Sequence, residues 1–323
     1  MIIVGAITRL SESGLSMVEW RPLIGTLPPM NDAEWHRVFD LYKESPEFQK
    51  KNFWMSLADF QHIFFWEWFH RLLGRLIGMI YLLPLLFFYF KGWIPKGYKK
   101  PLLGLFLLGG AQGFMGWYMV TSGLVNEPAV SHYRLAAHLS LALLLLQSML
   151  WLGLSLRKQA MQIVSPPDSA LYYHGLVSLC MLILTIFWGA YTAGLDAGLV
   201  YNDTFPKMGA TWIPEEVWFY KPVWQNFFEN HAGVQFAHRW LAIITTVVIT
   251  SLALHAGHKK RTERSFLLLA IVVFIQLSLG IMTLFSHVDL HIAATHQAGA
   301  VILLSTLIFC LHATRSKPPL PTH

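Results

Sequence analysis

Runs of apolar residues, each about as long as a membrane is thick, recur along this sequence and limit what it can fold into. About 20 apolar residues cross the hydrocarbon core of a bilayer as an α-helix, and their backbone groups must then be satisfied within the segment. Of the 323 residues, 54% are hydrophobic and only 13% are charged, whereas soluble domains average about 25% charged residues. The sequence therefore predicts an all-α polytopic membrane protein.

We predict eight transmembrane helices. The first is short, because the apolar run from Met1 to Ile7 would form only about 10 Å of helix. We expect either that the chain starts upstream or that this helix continues through polar residues. The other seven spans cover residues 62–90, 101–121, 132–156, 171–192, 232–256, 265–285 and 291–312.

The basic residues predict the orientation in the membrane. The formal net charge is +6, and twelve Lys and Arg residues lie in four short stretches that follow every second span. These stretches are Lys91–Lys100, Arg157–Lys158, Lys259–Arg264 and Arg315–Lys317. Cytoplasmic loops carry such an excess, so we expect both termini in the cytoplasm. Because the charge is divided among span ends, it does not predict a nucleic-acid groove.

Two long loops, about 8–61 and 193–231, are rich in Trp, Pro and Gly. In the first loop, apolar residues at helical spacing follow a helix cap at Asn31-Asp32, which predicts an amphipathic helix on the outer surface. These apolar residues are Trp35, Val38, Phe39 and Tyr42. Pro46-Glu47 predicts the start of another helix. The aromatic residues of both loops either anchor them at the membrane interface or form a lid over a site.

An internal repeat relates an N-terminal half, residues 1–160, to a C-terminal half, residues 161–323. The matches are Gly5-Ala6-Ile7-Thr8 with Gly189-Ala190-Tyr191-Thr192, His70-Arg71 with His238-Arg239, Gln112 and Gly116 with Gln276 and Gly280, and His138 with His296. Four spans return the chain to the same side of the membrane, so the repeat is parallel. The sequence predicts two tandem parallel four-helix bundles.

Four histidines occupy matched positions in the two halves: His70, His138, His238 and His296. Each lies five to eight residues inside a span that enters from outside, which predicts one layer about 8–12 Å below the outer surface. Zinc would require three or four ligands, and a di-iron site several carboxylates. Haem iron takes two axial ligands, so one haem site in each half fits best. Hydrogen-bonded packing is the alternative for any single histidine.

Other polar and small residues of this layer extend the hypothesis. Arginines suit the propionates of haem, and the candidates are Arg71, Arg75, Arg134 and Arg239. Glycines leave room for a macrocycle or for close helix packing, and the candidates are Gly74, Gly116 and Gly280. Glu67 lies three residues before His70, where the second half has Gln235. This asymmetry predicts chemistry in the first half and electron transfer in the second; an ion pair of Glu67 with Arg71 or Arg75 is the alternative.

The histidines at the opposite ends of the spans and in the tail are interpreted as surface or interface residues. They are His174, His255, His258, His312 and His323. The cysteines, Cys180 and Cys310, both lie in apolar spans and predict neither a disulfide nor a metal pair.

Several stretches together form a specific combination of motifs: Gly5–Ser16, Trp20-Arg21-Pro22 with Gly25–Pro29, Pro46-Glu47-Phe48, and Glu67–Arg75. Over nearly its whole length the chain resembles the haem A synthase family. The lack of cysteines in the outer loops is similar to the proteobacterial and mitochondrial branch. The short first span departs from the family and suggests a missing N-terminal segment.

The resemblance implies an oxidoreductase of the bacterial inner membrane that oxidises a methyl group of haem O to a formyl group, giving haem A for cytochrome oxidase. It implies a substrate site for haem O in the N-terminal half and a haem B cofactor in the C-terminal half. The residues implied are His70 and His138 for the substrate, His238 and His296 for the cofactor, and Glu67 for catalysis. The propionate argument adds Arg71, Arg75 and Arg134 to the substrate site and Arg239 to the cofactor site. Haem O synthase and oxidase assembly factors are implied partners, and a homo-oligomer is possible.

Two other functions compete with this hypothesis. A di-haem b-type cytochrome that oxidises quinol would share the four histidines but would not require Glu67. A transporter built on repeats favours inverted repeats and helices broken near the bilayer middle. The repeat here is parallel, so the transporter is the weaker alternative.

Overall fold

The computed structural model describes residues 1–19, 24–125, 128–162, 167–260 and 264–315. Within these ranges the regular structure is helical, apart from one isolated bridge between Met208 and Thr211. Trp20-Arg21-Pro22, residues 261–263 of the third basic stretch, Lys317 and His323 lie outside the described residues.

Ten α-helices follow one another along the described chain. Their bounds are α1 Ile2–Leu10, α2 Asp32–Lys43, α3 Leu57–Phe90, α4 Lys99–Val120, α5 His132–Ala160, α6 Ser169–Gly194, α7 Asn226–Glu229, α8 His231–His258, α9 Arg264–Phe285 and α10 Leu290–Thr314. Among the described residues, seven helices are long and apolar enough to cross a membrane: α3, α4, α5, α6, α8, α9 and α10. These seven correspond to the seven long predicted spans, whereas α1 has only 9 residues.

Helix α3 begins at Leu57, five residues earlier than the sequence predicts. A capping box explains this start, because Ser56 Oγ accepts a hydrogen bond from the backbone N–H of Asp59 while the Asp59 carboxylate accepts from the N–H of Ser56. Hydropathy missed the first turns because only one of their faces is apolar and packed. His70 is therefore the 14th residue of its helix, whereas His138, His238 and His296 are the seventh or eighth residues of theirs.

The predicted amphipathic helix in the first loop is confirmed as α2. Asn31 caps it by accepting a hydrogen bond from the N–H of Glu34 at 2.9 Å. The buried rings of Phe39 and Tyr42 each stack on Phe60 of α3, with ring centroids 5.0 Å apart. Aromatic burial of this kind fixes the loop to the first turns of α3. The helix predicted at Pro46-Glu47 is a single turn over Phe48–Asn52.

A buried carboxyl group lies beside this aromatic cluster. Glu47 accepts a hydrogen bond from the Tyr42 hydroxyl at 2.9 Å, and the Asn52 amide donates to the same hydroxyl oxygen at 2.8 Å. Burial, opposed by the hydrogen bond from Tyr42 and reinforced by the negative charges of Glu67 and Glu12, raises the pKa of Glu47 to about 7. Near neutral pH the fold therefore holds this group partly protonated.

Glu47→Gln is expected to make the protein more stable than the wild type at pH 8 and to give little difference near pH 4.5. The pKa of Glu47 is about 7 when folded and ordinarily 4.5, so the wild type loses stability as the pH rises between these values. The full effect is about 3 kcal/mol at most. Thermal unfolding in detergent at both pH values, followed by tryptophan fluorescence, measures it. Glu44→Gln, at an exposed position, is the matched control; equal pH profiles for all three proteins would contradict the prediction.

The chain divides into two compact units, unit 1 (Met1–His138) and unit 2 (Leu139–His323). Within unit 1, α1 and α2 pack on α3, and α3 packs on α4. Within unit 2, four long helices form a closed ring in which α6 packs on α8, α8 on α9, α9 on α10 and α10 on α6. In this ring α8 and α10 lie diagonally opposite each other. The predicted halves 1–160 and 161–323 stay a prediction.

Candidate functional site

In unit 2, two of the predicted histidines lie on the diagonal helices, and each packs on a glycine of a neighbouring helix. His238 of α8 faces Gly189 of α6, and His296 of α10 faces Gly280 of α9. A Cβ atom added to either glycine would lie 2.9 Å from the Cε1 atom of the imidazole, closer than real Cβ atoms come. Only glycine therefore lets the helix backbone approach each ring this closely.

Hydrogen bonds orient the two rings. Nδ1 of His238 lies 3.1 Å from the carbonyl oxygen of Thr185. A carbonyl only accepts hydrogen bonds, so this Nδ1 carries the proton and the Nε2 lone pair is left available for a metal. The side-chain amide nitrogen of Gln276 lies 3.1 Å from Nδ1 of His296 and 3.0 Å from the backbone oxygen of the same residue. An amide nitrogen only donates, so in this arrangement Nδ1 of His296 accepts and Nε2 carries the proton, the opposite of His238. Both rings are thus held in place by the helices next to them.

The same arrangement occurs in unit 1. His70 of α3 faces Gly5 of α1, and His138 at the start of α5 faces Gly116 of α4; added Cβ atoms would lie 3.1 and 3.0 Å from the two rings. The Gln112 amide nitrogen also lies 3.4 Å from Nε2 of His138. The repeated Gln-x-x-x-Gly spacing therefore has a structural meaning, because residues four apart share a helix face and both contact the histidine.

One ring differs from the other three. For His138, His238 and His296, the atom nearest the glycine is Cε1, whereas for His70 it is Nε2, at 3.1 Å from the added Cβ of Gly5. The nitrogen opposite the side-chain attachment thus points at α1 in unit 1. In His138, the other histidine of unit 1, Nε2 instead lies 3.4 Å from the Gln112 amide nitrogen.

Glu67 is buried, with 3% exposure, and both of its oxygens are engaged. Oε1 accepts from Arg71 at 2.5 Å, while Oε2 accepts from the Ser16 hydroxyl at 2.8 Å and the Met17 N–H at 2.7 Å. Arg71 also donates to the Met17 carbonyl at 3.1 Å. The ion pair of Glu67 with Arg71 is therefore present, and it ties the segment after α1 to α3.

Gln235 and Arg239 of α8 make the corresponding connection in unit 2, with the opposite hydrogen-bond polarity. The Gln235 amide donates to the carbonyls of Ala197 and Val200, and its oxygen accepts from Arg239 at 3.0 Å. Arg239 also donates to the carbonyls of Tyr201, Thr204 and Lys207. Glu67 accepts from its loop and Gln235 donates to its loop, so the two residues are equivalent in position but cannot replace each other.

The four predicted arginines therefore already have protein partners or packing. The Nη atoms of Arg71 and Arg239 donate to loop carbonyls. Arg134 donates to the Tyr118 carbonyl at 2.7 Å, with its guanidinium 3.8 Å from the centre of the Tyr118 ring. Arg75 is half-buried one turn after Arg71. A role of these arginines toward propionates stays a prediction.

One predicted role is revised by the contacts. His312 was predicted at the surface or interface but is buried, with Nε2 3.1 Å from the Ser155 hydroxyl oxygen and its ring against Trp151. Gly74, predicted to leave room for a macrocycle or for close packing, faces the Met1 side chain. Gly5 and Gly189, which the repeat matched without assigning a role, are the glycines that contact His70 and His238.

The side chains that could bind a metal at this site are the imidazoles of the matched histidines, two in each unit. Within the described ranges, no three His, Cys, Asp or Glu residues are grouped in a way that could hold a metal ion, and Cys180 and Cys310 are free thiols. Zinc and di-iron centres need larger donor sets, whereas haem iron takes two axial imidazoles from opposite sides. His238 and His296, on diagonal helices of a closed ring, fit this requirement when the Gln276 amide turns its unpaired oxygen toward Nδ1 of His296, which frees Nε2 for the metal.

These features define a class, a multi-pass helical membrane protein that carries two sets of glycine-packed histidines. The model of one family, COX15-CtaA, described as cytochrome oxidase assembly protein, matches residues 1–308. The chain belongs to this family, as the motifs predicted.

Similar proteins cover almost the whole chain. A Rhodospirillum centenum protein named heme A synthase is 47% identical over 322 residues, which are 99% of this chain and 85% of that protein. A human protein named heme A synthase COX15 is 41% identical over 334 residues, covering 98% of this chain and 80% of the relative. A Nitrosospira multiformis protein named heme A synthase is 41% identical, covering 98% and 90%.

Gln235→Glu is expected to lower stability, because a carboxylate cannot donate to the carbonyls of Ala197 and Val200. Leaving two buried acceptors without donors costs about 2–5 kcal/mol, and pairing with Arg239 offsets only part of this. Thermal unfolding of the purified protein measures the effect. Gln49→Glu, at an exposed position, is the control and should unfold like the wild type. An unchanged midpoint for Gln235→Glu would show that the amide does not hold its loop.

Proposed function

We propose that this protein is a haem A synthase, an oxidoreductase that converts a methyl group of haem O to the formyl group of haem A for cytochrome oxidase. The observation that carries the proposal is the 47% identity over 99% of the chain to a protein named heme A synthase. The relation to a human protein of the same name, at 41% identity, supports it. The family description, cytochrome oxidase assembly protein, supports the destination of the product.

The C-terminal half would hold haem B as a resident cofactor, with His238 and His296 as the residues that bind its iron and Arg239 as a partner for its propionates. The closed ring of α6, α8, α9 and α10 and the proton placed on Nδ1 of His238 by Thr185 support this assignment. Haem B, when bound, supplies a one-electron redox couple. The protein's own contribution is to fix both rings through Gly189 and Gly280, so that ligand geometry is set before binding.

The N-terminal half holds the substrate haem O between His70 and His138, with Arg71, Arg75 and Arg134 nearby. A substrate must enter and leave. A histidine whose ring is not already held in the metal-binding orientation therefore suits this half better than a fixed histidine. The turned ring of His70, whose Nε2 faces Gly5, supports this difference. Reorientation of the His70 ring then accompanies substrate binding and product release.

Glu67 is the carboxylate that the substrate half has and the cofactor half lacks. Oxidation of a methyl group to a formyl group releases protons, and a buried carboxylate can accept one. In its present contacts Glu67 accepts from Arg71, Ser16 and Met17. To accept a proton from the substrate, Glu67 must lose one of these hydrogen bonds. The Ser16 hydroxyl can release Glu67 most easily, because it also lies 2.9 Å from the Ser13 carbonyl oxygen and can donate to that oxygen instead.

The membrane arrangement we infer is eight helices in two tandem parallel bundles, residues 1–160 and 161–323, in a bacterial inner membrane with cytoplasmic termini. The seven long apolar helices and the basic stretches after alternate spans support it. Haem O synthase and oxidase assembly factors are the proposed partners, and a homo-oligomer is compatible with this arrangement.

Haem analysis of purified variants tests whether the N-terminal half binds the substrate and the C-terminal half the cofactor. His238→Ala is expected to lose haem B, because one of the two imidazoles that would hold it is removed. His70→Ala is expected to keep haem B and to form no haem A, because only the substrate site is damaged. Glu67→Gln is expected to keep haem B and bind haem O, with loss of conversion. Pyridine haemochrome spectra and chromatography of extracted haem measure all three.

Two outcomes would contradict the proposal. Full conversion of haem O by His70→Ala would remove the substrate assignment. A wild-type protein that carries haem B in both halves and yields no formyl-bearing haem in cells that supply haem O would indicate the di-haem electron-transfer cytochrome instead. The four glycine-packed histidines suit both functions, so the extracted haem type separates them.

Gly280→Ala and Gly189→Ala are each expected to lower haem B content several-fold, because the added Cβ would lie 2.9 Å from the ring of His296 or His238 and displace it. The haem absorbance per protein measures the loss. Gly153→Ala, where an added Cβ meets no atom within 4 Å, is the matched control and should be neutral or slightly stabilising. Full haem content in both site variants would show that the rings tolerate movement.

A further inference from the structure

A second pair of histidines lies in unit 2, away from His238. His174 is near the start of α6 and His255 near the end of α8. Their Nδ1 atoms are 3.2 Å apart, and the ring planes are inclined by 38°. His255 is 17 residues beyond His238 on the same helix, which is about 25 Å along its axis. The pair therefore takes no part in the proposed haem sites.

A serine favours one tautomer of His174. The hydroxyl of Ser251 lies 2.8 Å from the Val248 carbonyl oxygen and 3.1 Å from Nε2 of His174. When its one hydrogen goes to the carbonyl, the Ser251 oxygen accepts from Nε2 of His174. Nε2 then carries the proton, and the Nδ1 of the neutral ring presents its lone pair to His255.

Two neutral imidazoles in this position can share either a hydrogen or a metal ion. In a tetrahedral zinc site, Zn–N bonds of about 2.0–2.1 Å put two ligand nitrogens about 3.3 Å apart. The observed separation is 3.2 Å. A ligand histidine also usually donates its other N–H to an oxygen, as His174 does to Ser251.

We propose that His174 and His255 bind a divalent transition-metal ion of the zinc type through their two Nδ1 atoms, with solvent completing the coordination. No third side chain of a ligating type is grouped with them in the described part of the chain, so this is a two-imidazole site of modest affinity. His255 then carries its proton on Nε2, and both Nδ1 lone pairs face the ion. The ion connects α6 to α8 at the end of the bundle opposite His238.

Metal binding to the full-length protein tests this proposal. The protein is purified through a tag without histidine, treated with chelator and dialysed against Zn²⁺, and bound zinc is counted by mass spectrometry. The wild type is expected to bind one zinc ion that His174→Ala and His255→Gln weaken about tenfold or more. Ser251→Ala is expected to weaken it less, because it removes only the group that fixes the tautomer.

Two further measurements keep the test independent of folding and of the proposed function. Cu²⁺ bound to the wild type should give an electron paramagnetic resonance spectrum with hyperfine splitting from two nitrogens, which His174→Ala should lose. The haem spectrum should be unchanged in all variants because His238 is distant. His36→Ala, an exposed histidine of α2, is the control and should bind zinc as the wild type does.

Equal zinc affinity in the wild type, His174→Ala and His255→Gln would overturn the proposal. The same holds for a Cu²⁺ spectrum without nitrogen splitting. In either case the pair is joined by an ordinary hydrogen bond from Nδ1 of His255 to Nδ1 of His174, and the haem assignments are unaffected.

Discussion

The contact between each predicted haem ligand and a glycine of a neighbouring helix is the constraint on which the site depends. An imidazole in an apolar bundle must be held in one orientation, and long helices that pack through large side chains leave no room for it. At Gly5, Gly116, Gly189 and Gly280 the backbone itself forms the surface behind the ring. This packing of a histidine ring on a glycine occurs four times, twice in each unit, so it is a feature of the internal repeat.

A second repeated contact fixes the loops to these helices. In each unit, a residue three positions before the first histidine and an arginine one position after it bind the segment that follows a glycine-bearing helix. Such groups are costly at membrane depth unless they are paired, and here they are paired with backbone. The same positions hold opposite chemistry: Glu67 accepts and Gln235 donates. This divergence between otherwise matching units supports different roles for the two proposed haem sites.

The segment of unit 1 between α1 and α3 packs close to this chemistry. Rings of α2 pack on the start of α3, and Glu47, whose pKa is raised to about 7, lies where the charge of Glu67 acts on it. Unit 2 has an ion-binding candidate of another kind at the opposite end of its bundle, where His174 and His255 meet. Both features were hidden in the sequence, because a lone Glu in a loop and two histidines near span ends carry no recognisable pattern.

The sequence by itself determined the class of the protein, seven long helices and α2, because apolar length, helical spacing and capping residues act locally along the chain. It also determined the family and singled out the four histidines through the repeat. It placed the start of α3 too late, put His312 at the surface or interface, and assigned no role to Gly5 or Gly189. Only the tertiary structure decided which glycine each histidine packs against and which way the His70 ring points. It also decided that Glu67 accepts hydrogen bonds from its loop whereas Gln235 donates them. These depend on distances between residues far apart in sequence, and no local pattern encodes such distances.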